Sequence, residues 1–152
     1  MRLSTKSRYG LRALFDMAYH NAGQPSQIQN ISSRQGISPR YLEQIFQSLK
    51  KAGILKSKRG PQGGYTLARK PEQITVLDII KATEQDALVA DCSGEAKKRK
   101  RRKNDCPFEG SCVTQSVWKD ASDLLDGLFG QLTLQTLCER GEAMGVARTI
   151  SQ

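Results

Sequence analysis

Three of the four cysteines could together bind a metal ion or a cluster. Cys92, Cys106 and Cys112 lie in one predicted loop, with thirteen residues between the first pair and five between the second. Soft thiolates grouped in this way are typical ligands of zinc and of iron-sulfur clusters. Neither interval is the two-residue gap of a zinc ribbon, so the spacing alone does not choose the metal. Reduced cysteines that bind nothing are the alternative at this point.

Cys138 and the single histidine are not expected to join that site. Cys138 lies on a short helix predicted over residues 132–139, beside Leu134 and Leu137, which indicates a buried thiol. His20 ends the first predicted helix, far from the three cysteines in sequence. Because no general base accompanies these cysteines, the sequence predicts neither an enzyme nor a small-molecule substrate.

The segment from Ser38 to Gln44 has the side chains of a DNA-reading helix. Ser38 can cap a helix and Pro39 can occupy its first position. Apolar residues at helical spacing define the buried face, and the remaining side chains can meet DNA: Arg40, Tyr41, Glu43 and Gln44. In a major groove, arginine can hydrogen-bond to guanine and glutamine to adenine, and a carboxylate can accept a hydrogen bond from cytosine. Taken singly, each could equally be an ordinary solvated helix residue.

The flanking residues supply the rest of a winged helix-turn-helix. A short predicted helix over 28–36 ends at Gly36, which makes the tight turn before Ser38. Two strands, predicted over 54–58 and 65–68, enclose a glycine-rich loop and form a hairpin wing. Arg59 in that loop suits a DNA minor groove, whose negative potential attracts guanidinium groups. A generic turn arginine is the alternative.

The positive charge is concentrated in the first half of the chain. Residues 1–85 hold 14 Lys and Arg against 5 Asp and Glu, whereas residues 86–152 hold 10 against 10. Seven of those ten later cations form one run, Lys97 to Lys103, which we interpret as a solvated insertion that could touch a DNA backbone. Such basicity favours nucleic acid as a partner, although a solvated lysine-rich face has the same composition.

The second half of the sequence predicts that the chain forms a dimer. Apolar residues recur at helical spacing over residues 113–130, and this stripe exceeds what one small domain needs. DNA-binding proteins commonly pair such a helix with a second copy to span two half-sites, while packing within one chain is the alternative. We therefore expect a mainly α fold with a small β-hairpin wing, divided as follows: winged helix-turn-helix 1–85, cysteine loop 86–112 with the basic insertion 97–103, dimerisation helix 113–130, short helix and tail 131–152.

The expected location is the bacterial cytoplasm, in association with the nucleoid. No stretch reaches the roughly 20 apolar residues of a spanning helix, and the basic N-terminus lacks the apolar core of a signal peptide. No membrane partner is expected. In that compartment the cysteines should be reduced rather than joined in disulfides.

The whole series of motifs resembles the IscR-type winged helix-turn-helix regulators, a family that includes the nitric oxide sensor NsrR and the cysteine regulator CymR. The stretches that carry the resemblance are Met1 to Lys6 with Arg8 and Tyr9, Gln35 to Ser38, Tyr41 to Gln44, Arg59 to Pro61 with Gly63 to Tyr65, and Trp118 to Asp120. The resemblance implies a homodimer that binds promoter operators in double-stranded DNA through the helix from Tyr41 and the wing. We place Arg2 and Ser38 among the expected DNA-binding residues as well.

The resemblance also implies an iron-sulfur cluster whose state controls DNA binding. Cys106 and Cys112, followed by Trp118, look like the second and third cluster cysteines, and Cys92 matches the first. A 2Fe-2S cluster is favoured over a 4Fe-4S cluster. Gln115 stands where IscR has a histidine ligand, so the fourth ligand stays unassigned; candidate groups are Asp91, Asp105, Glu109 or a residue of the partner subunit. The alternatives are a zinc-binding regulator, a thiol-sensing regulator without a cluster, or an interaction module.

Overall fold

Helices make up most of the chain that the structure describes. The structure is a computed structural model, and it describes residues 3–21, 23–84, 108 and 111–148. The order of elements is α1 (Thr5–His20), α2 (Ile28–Gln35), α3 (Pro39–Lys51), β1 (Leu55–Lys58), β2 (Gly64–Leu67), a 3-10 turn (Pro71–Gln73), α4 (Val76–Thr83), α5 (Val113–Gln131) and α6 (Leu134–Ala143). The predicted fold class, mainly α with a small hairpin, is confirmed.

The hydrophobic core lies where the first three helices meet α4. α3 contributes the face that its spacing predicts, and all four of its members have no exposed surface: Leu42, Ile45, Phe46 and Leu49. Leu14 of α1 and Ile31 of α2 are equally buried against them. Between α2 and α3 the backbone turns at Gly36, whose φ of 63° is left-handed and suits glycine. The core thus fixes the orientation of α3.

A buried carboxylate locks the turn between α2 and α3. Asp16 of α1 has no exposed surface. Arg34 donates to both of its oxygens, from Nε at 3.0 and 3.1 Å and from a terminal nitrogen at 2.7 Å. Gln35 adds a third donor at 2.9 Å, so the charge is fully compensated. Arg12 also donates to the Gln35 carbonyl, and these bonds tie α1 to the last residues before the turn.

The wing is an antiparallel hairpin with a third backbone segment beside it. β1 pairs with β2 in the register Leu55 to Leu67 and Lys58 to Gly64. On the other edge of β2, Ser26 and Tyr65 exchange two backbone hydrogen bonds of 2.8 and 2.9 Å. The strands lie within one residue of the predicted boundaries.

The junction of α4 with α1 is held by polar contacts. Thr75 and Asp78 cap α4 reciprocally, with bonds of 3.0 and 3.2 Å. After α4, the Glu84 carboxylate accepts from the Ser4 backbone at 2.8 Å and from the Ser7 hydroxyl. Partial burial would raise the pKa of Glu84, but these hydrogen bonds outweigh it and hold that pKa below its usual value. The start of α1 is therefore fixed by an ionised carboxylate.

α5 packs against α4, and α6 packs against α1. Backbone bonds of 2.8 and 2.9 Å join Val76 to Leu132 and Leu134 to Ile74. α6 begins two residues later than predicted because Thr133 caps it, and it continues to Ala143. Among the described residues no helix is long and apolar enough to cross a membrane.

Candidate nucleic-acid interface and cysteine site

The N-terminal half of α3 presents a continuous polar face. Ser38 accepts from the Tyr41 backbone at 3.3 Å and so caps the helix, with Pro39 in its first turn. Arg40, Glu43 and Gln44 are exposed, and their spacing of three and four residues places them on one side of the helix, opposite the buried face. A face with donors and acceptors of this kind can read base edges in a major groove.

Gln47 extends that face by one turn, although it is not among the predicted site residues. It is exposed and lies three residues after Gln44 and four after Glu43. The signal was present in the spacing, since positions three and four apart share a helix face.

Tyr41 has a structural contact as well as an exposed edge. Its ring meets Tyr9 of α1 edge-on, with centroids 6.0 Å apart, and its side chain is half-buried. Arg12 in turn lies over the Tyr9 ring, 5.4 Å from the centroid. Lys6 donates to Ser48 of α3 at 2.8 Å. These contacts hold the first turns of α1 against α3, so both helices present one surface.

Glycines shape the wing loop, and Arg59 is exposed beside them. Gly60 has a φ of 113°, and Gly64 one of 152°. A Cβ at Gly63 would lie 2.5 Å from the Lys58 carbonyl oxygen, so no larger residue fits there without a backbone shift. The Tyr65 ring anchors the loop to α3 by packing edge-on against Phe46, with centroids 4.9 Å apart. The wing is thus held against α3.

A polar groove separates α3 from the wing. Its walls come from the start of α2, from Glu43, and from the wing loop with its glycines: Gln27, Ile28, Gln29, Glu43, Gly60, Pro61, Gly63, Gly64 and Tyr65. If α3 and Arg59 entered adjacent DNA grooves, one phosphate strand would cross this groove. The Glu43 carboxylate would then lie close to that negatively charged strand, and the repulsion would lower the affinity for DNA. The benefit of Glu43 would therefore be selection of the DNA sequence.

Cys112 is the one cysteine of the predicted trio that lies in the described part of the chain. It stands at the N-terminal end of α5, partly exposed, with Sγ 3.1 Å from the Thr114 hydroxyl. The hydrogen bond with Thr114 and the backbone N–H of Gln115 lower the pKa of its thiol. Thiolates are the form that binds metals. The lowered pKa increases the fraction of the Cys112 sulfur that is present as thiolate.

Three predicted site residues lie outside the residues that the structure describes: Arg2, Cys92 and Cys106. Within the described residues no three His, Cys, Asp or Glu side chains group around a possible metal position.

Cys138 and His20 have the surroundings that the sequence predicts. Cys138 is buried in α6, and burial raises the pKa of its thiol. His20 ends α1, with Nε2 3.9 Å from the Asp16 carboxylate. Burial lowers the pKa of His20, with Asp16 opposing the shift and Arg34 and Arg148 adding to it. Both groups belong to the helical core around α1.

α5 leaves its apolar stripe uncovered. Large apolar side chains stand exposed at spacings of four and seven residues, with Val113 exposed by 85% and Leu124 by 76%; the others are Val117 and Leu128. The opposite side contacts α4, where Lys81 pairs with Asp126 at 3.3 Å. No residue of α5 is fully buried. The described chain therefore supplies no cover for this stripe.

Comparisons with known proteins agree with this architecture. The sequence profile of the Rrf2 family, described as an iron-dependent transcriptional regulator, matches residues 3–140. The HTH-type transcriptional regulator IscR of Xenorhabdus nematophila is 37% identical over 147 residues, which cover 97% of this chain and 85% of that protein. IscR of Escherichia coli O1:K1 / APEC is also 37% identical, with coverage of 97% and 86%.

Two solved structures are similar over nearly their whole length. IscR of T. potens has a TM-score of 0.73 and 36% identity, and the match covers 98% of this chain and 94% of that one. CymR, the global cysteine regulator of B. subtilis, has a TM-score of 0.69 and 28% identity, with coverage of 92% and 98%.

Proposed function

The chain belongs to the Rrf2 family of transcriptional regulators, and from that premise we propose a homodimeric IscR-type repressor that senses an iron-sulfur cluster. The relatives named above are transcriptional regulators, which confirms the expectation that the chain is not an enzyme. Its ligand is promoter DNA, and it acts in the bacterial cytoplasm on the nucleoid. The observation that supports DNA binding is the exposed polar face of α3, which lies beside the wing that Tyr65 anchors to Phe46.

DNA reading is assigned to both elements. Arg40 and Gln44 donate to base edges in the major groove, and Glu43 selects sequence at a cost in affinity. Ser38 and Tyr41 set the position of the helix. Arg59 enters the neighbouring minor groove, where narrow A·T-rich stretches attract arginine. Arg2, which lies outside the described residues, adds a phosphate contact from the N-terminus.

The cluster is assigned to Cys92, Cys106 and Cys112. What supports it is the chemistry of Cys112, a partly exposed thiol with a lowered pKa at a helix start, together with two further cysteines nearby in sequence. When bound, a 2Fe-2S cluster, preferred here over 4Fe-4S, supplies a group that gains or loses electrons. Gln115 has a neutral amide oxygen, so the fourth ligand is a carboxylate or comes from the partner subunit.

The homodimer is assigned to α5. Its uncovered apolar stripe, from Val113 to Leu128, is the largest exposed run of apolar side chains in the described chain. A second copy of α5 would bury it and place two reading heads on two half-sites. Leu124→Asp should yield monomers in sedimentation and lose operator binding. Dimers that persist in this variant would contradict the assignment.

One experiment tests the cluster and the DNA together. The protein is purified without oxygen, its iron and sulfide are measured, and DNA footprints are recorded with and without the cluster. We expect iron, sulfide and a visible absorption band in the wild type and in Cys138→Ser, but not in Cys112→Ser. Arg59→Ala should weaken binding with a loss of A·T preference, and Glu43→Ala should relax sequence choice more than affinity.

Two results would refute parts of this proposal. Absence of iron, sulfide and colour from anaerobic protein would remove the cluster. Equal affinity for every duplex in the wild type would remove sequence-specific reading. The partly exposed Cys112 thiol with its lowered pKa favours a second candidate, a zinc-binding or thiol-sensing regulator without a cluster. Zinc in place of iron, with DNA binding retained, would favour that candidate.

A further inference from the structure

The wing and its surroundings contain an uninterrupted set of positive charges. Between Glu43 and Glu72 the sequence has seven Lys and Arg and no Asp or Glu. Five of these cations lie at the end of α3 and along the hairpin: Lys50, Lys51, Lys56, Lys58 and Arg59. The proposed function uses only Arg59, so the lysines remain to be explained.

Lys56 and Lys58 lie on the face of the hairpin that is turned away from α3. Ser57 pairs with Tyr65 across the strands, and cross-strand partners share one face. That face is directed toward α3, because the Tyr65 ring packs against Phe46. Side chains alternate along a strand, so both lysines lie on the opposite face, and both are exposed.

The inner side of the hairpin also has a cation. Lys50 near the end of α3 donates from Nζ to the Ser57 hydroxyl at 2.7 Å, which places its charge between α3 and β1. Positive charges therefore flank the hairpin on both sides. A minor groove about 6 Å wide is bordered by one phosphate strand on each side. A wing that enters it meets a strand with each of its faces.

We propose that Lys56 and Lys58 bind phosphates of the far strand, so that the wing straddles the minor groove that Arg59 enters. This inference rests on the proposed function, in which α3 and Arg59 occupy adjacent grooves. It assigns a DNA surface beyond α3 and the wing tip. Because phosphates are alike in every sequence, the two lysines raise affinity without adding sequence choice.

These lysines have another ordinary use. In the described residues β1 has β2 as its only partner strand, and lysine at a free strand edge discourages pairing with other chains. Edge protection predicts that neutral substitutions promote aggregation and leave DNA binding unchanged. Phosphate binding predicts a change in salt dependence, so the two explanations can be separated.

The test measures binding against salt for Lys56→Gln, Lys58→Gln and the double variant, using the operator duplex defined by footprinting. The slope of log affinity against log salt should fall by about 0.9 for each lost phosphate contact. Arg140→Gln, an exposed cation on α6, is the matched control and should keep the wild-type slope. Lys58→Arg should also keep it. On a duplex that ends at the minor groove under the wing, the lysine variants should have the same salt dependence of binding as the wild type.

The outcomes distinguish this inference from the function it rests on. If the wild type shows no salt-dependent binding to any duplex, the proposed function fails. If the wild type binds, Arg59→Ala weakens binding, and the folded glutamine variants keep the wild-type slope, the inference is overturned and the function stands. A slope that falls equally in Arg140→Gln would also overturn it. Thermal unfolding of each variant establishes that it is folded.

Discussion

The ring of Tyr65 in the wing lies edge-on against Phe46 in α3, with centroids 4.9 Å apart and planes 70° apart. Phe46 has no exposed surface, so the wing is attached to a rigid part of the core. This aromatic contact therefore ties the wing to α3, together with the 2.7 Å hydrogen bond from Lys50 to Ser57. Their separation is set by packing rather than by the loop.

Substituting Tyr65 should loosen the wing without unfolding the chain. Tyr65→Leu keeps an apolar side chain but loses the edge-on pairing, which is worth about 0.5–1.5 kcal/mol. We expect a loss of stability of that size in urea unfolding, with a larger proportional loss of affinity for operator DNA. Tyr65→Phe keeps the ring and is the control. An equal loss in both variants would show that the hydroxyl, not the ring contact, is responsible.

Gly64 should tolerate no side chain. Its φ of 152° lies in a region that L-residues rarely adopt, and a Cβ there would lie 2.5 Å from the Ser26 carbonyl oxygen. Gly64→Ala should therefore cost at least about 1–3 kcal/mol through backbone strain and should separate the wing from Ser26. Thermal unfolding measures the first effect, and amide exchange at Ser26 and Tyr65 the second.

Gly130→Ala is the matched control for that substitution. Gly130 lies in α5, and its added Cβ would meet only Leu77 at 3.8 Å, an ordinary contact. Alanine in a helix stabilises by up to about 1 kcal/mol relative to glycine. The two glycine substitutions should thus have opposite signs. A stable Gly64→Ala with native amide protection would contradict the proposed geometry of the wing.

The helix α3 could be predicted because its signals are local. Ser38, Pro39 and the spacing of Leu42 to Leu49 each act within one or two turns, and the structure has α3 at that position. The end of α6 was predicted wrongly at residue 139, because the helix continues through Gly141 to Ala143.

The Asp16 network could not be predicted from local signals. Asp16 and Arg34 are eighteen residues apart on different helices, and a single aspartate on α1 has no pattern that marks it as buried. Its burial follows from the packing of α1 against α2, which depends on the whole core. Spacing within one element predicts that element's faces, whereas polar contacts between elements emerge only with the tertiary fold.

Removing the Asp16 charge should be among the most damaging single substitutions. Asp16→Ala leaves Arg34, whose side chain is 17% exposed, without its bidentate partner. Breaking a buried ion pair costs about 3–5 kcal/mol. Urea unfolding should show a loss of this order. Asp126→Asn breaks the exposed Lys81 pair, which is worth under about 1 kcal/mol, and serves as control. Similar losses in both variants would contradict the role assigned to Asp16.

The stability of the protein should fall as the pH drops below about 6.5, the unperturbed pKa of histidine. Burial lowers the pKa of His20 in the folded chain, with Asp16 opposing and Arg34 and Arg148 adding to the shift. The unfolded chain therefore binds the proton first, so the free energy of unfolding decreases from pH 6.5 down to the folded pKa and then levels off. Glu84 has a lowered pKa, so its contribution is lost only below pH 4.5.

Urea unfolding at pH 7.5 and 5.5 isolates the histidine, since both values lie above the range of Glu84. The wild type should be less stable at pH 5.5, and His20→Gln should lose less stability between the two values. The free energy of unfolding of each protein is compared between the two pH values, so any loss of stability that the substitution causes at both values cancels. A wild type that is equally stable at both values, or more stable at pH 5.5, would show that His20 gains a compensating partner when it is protonated.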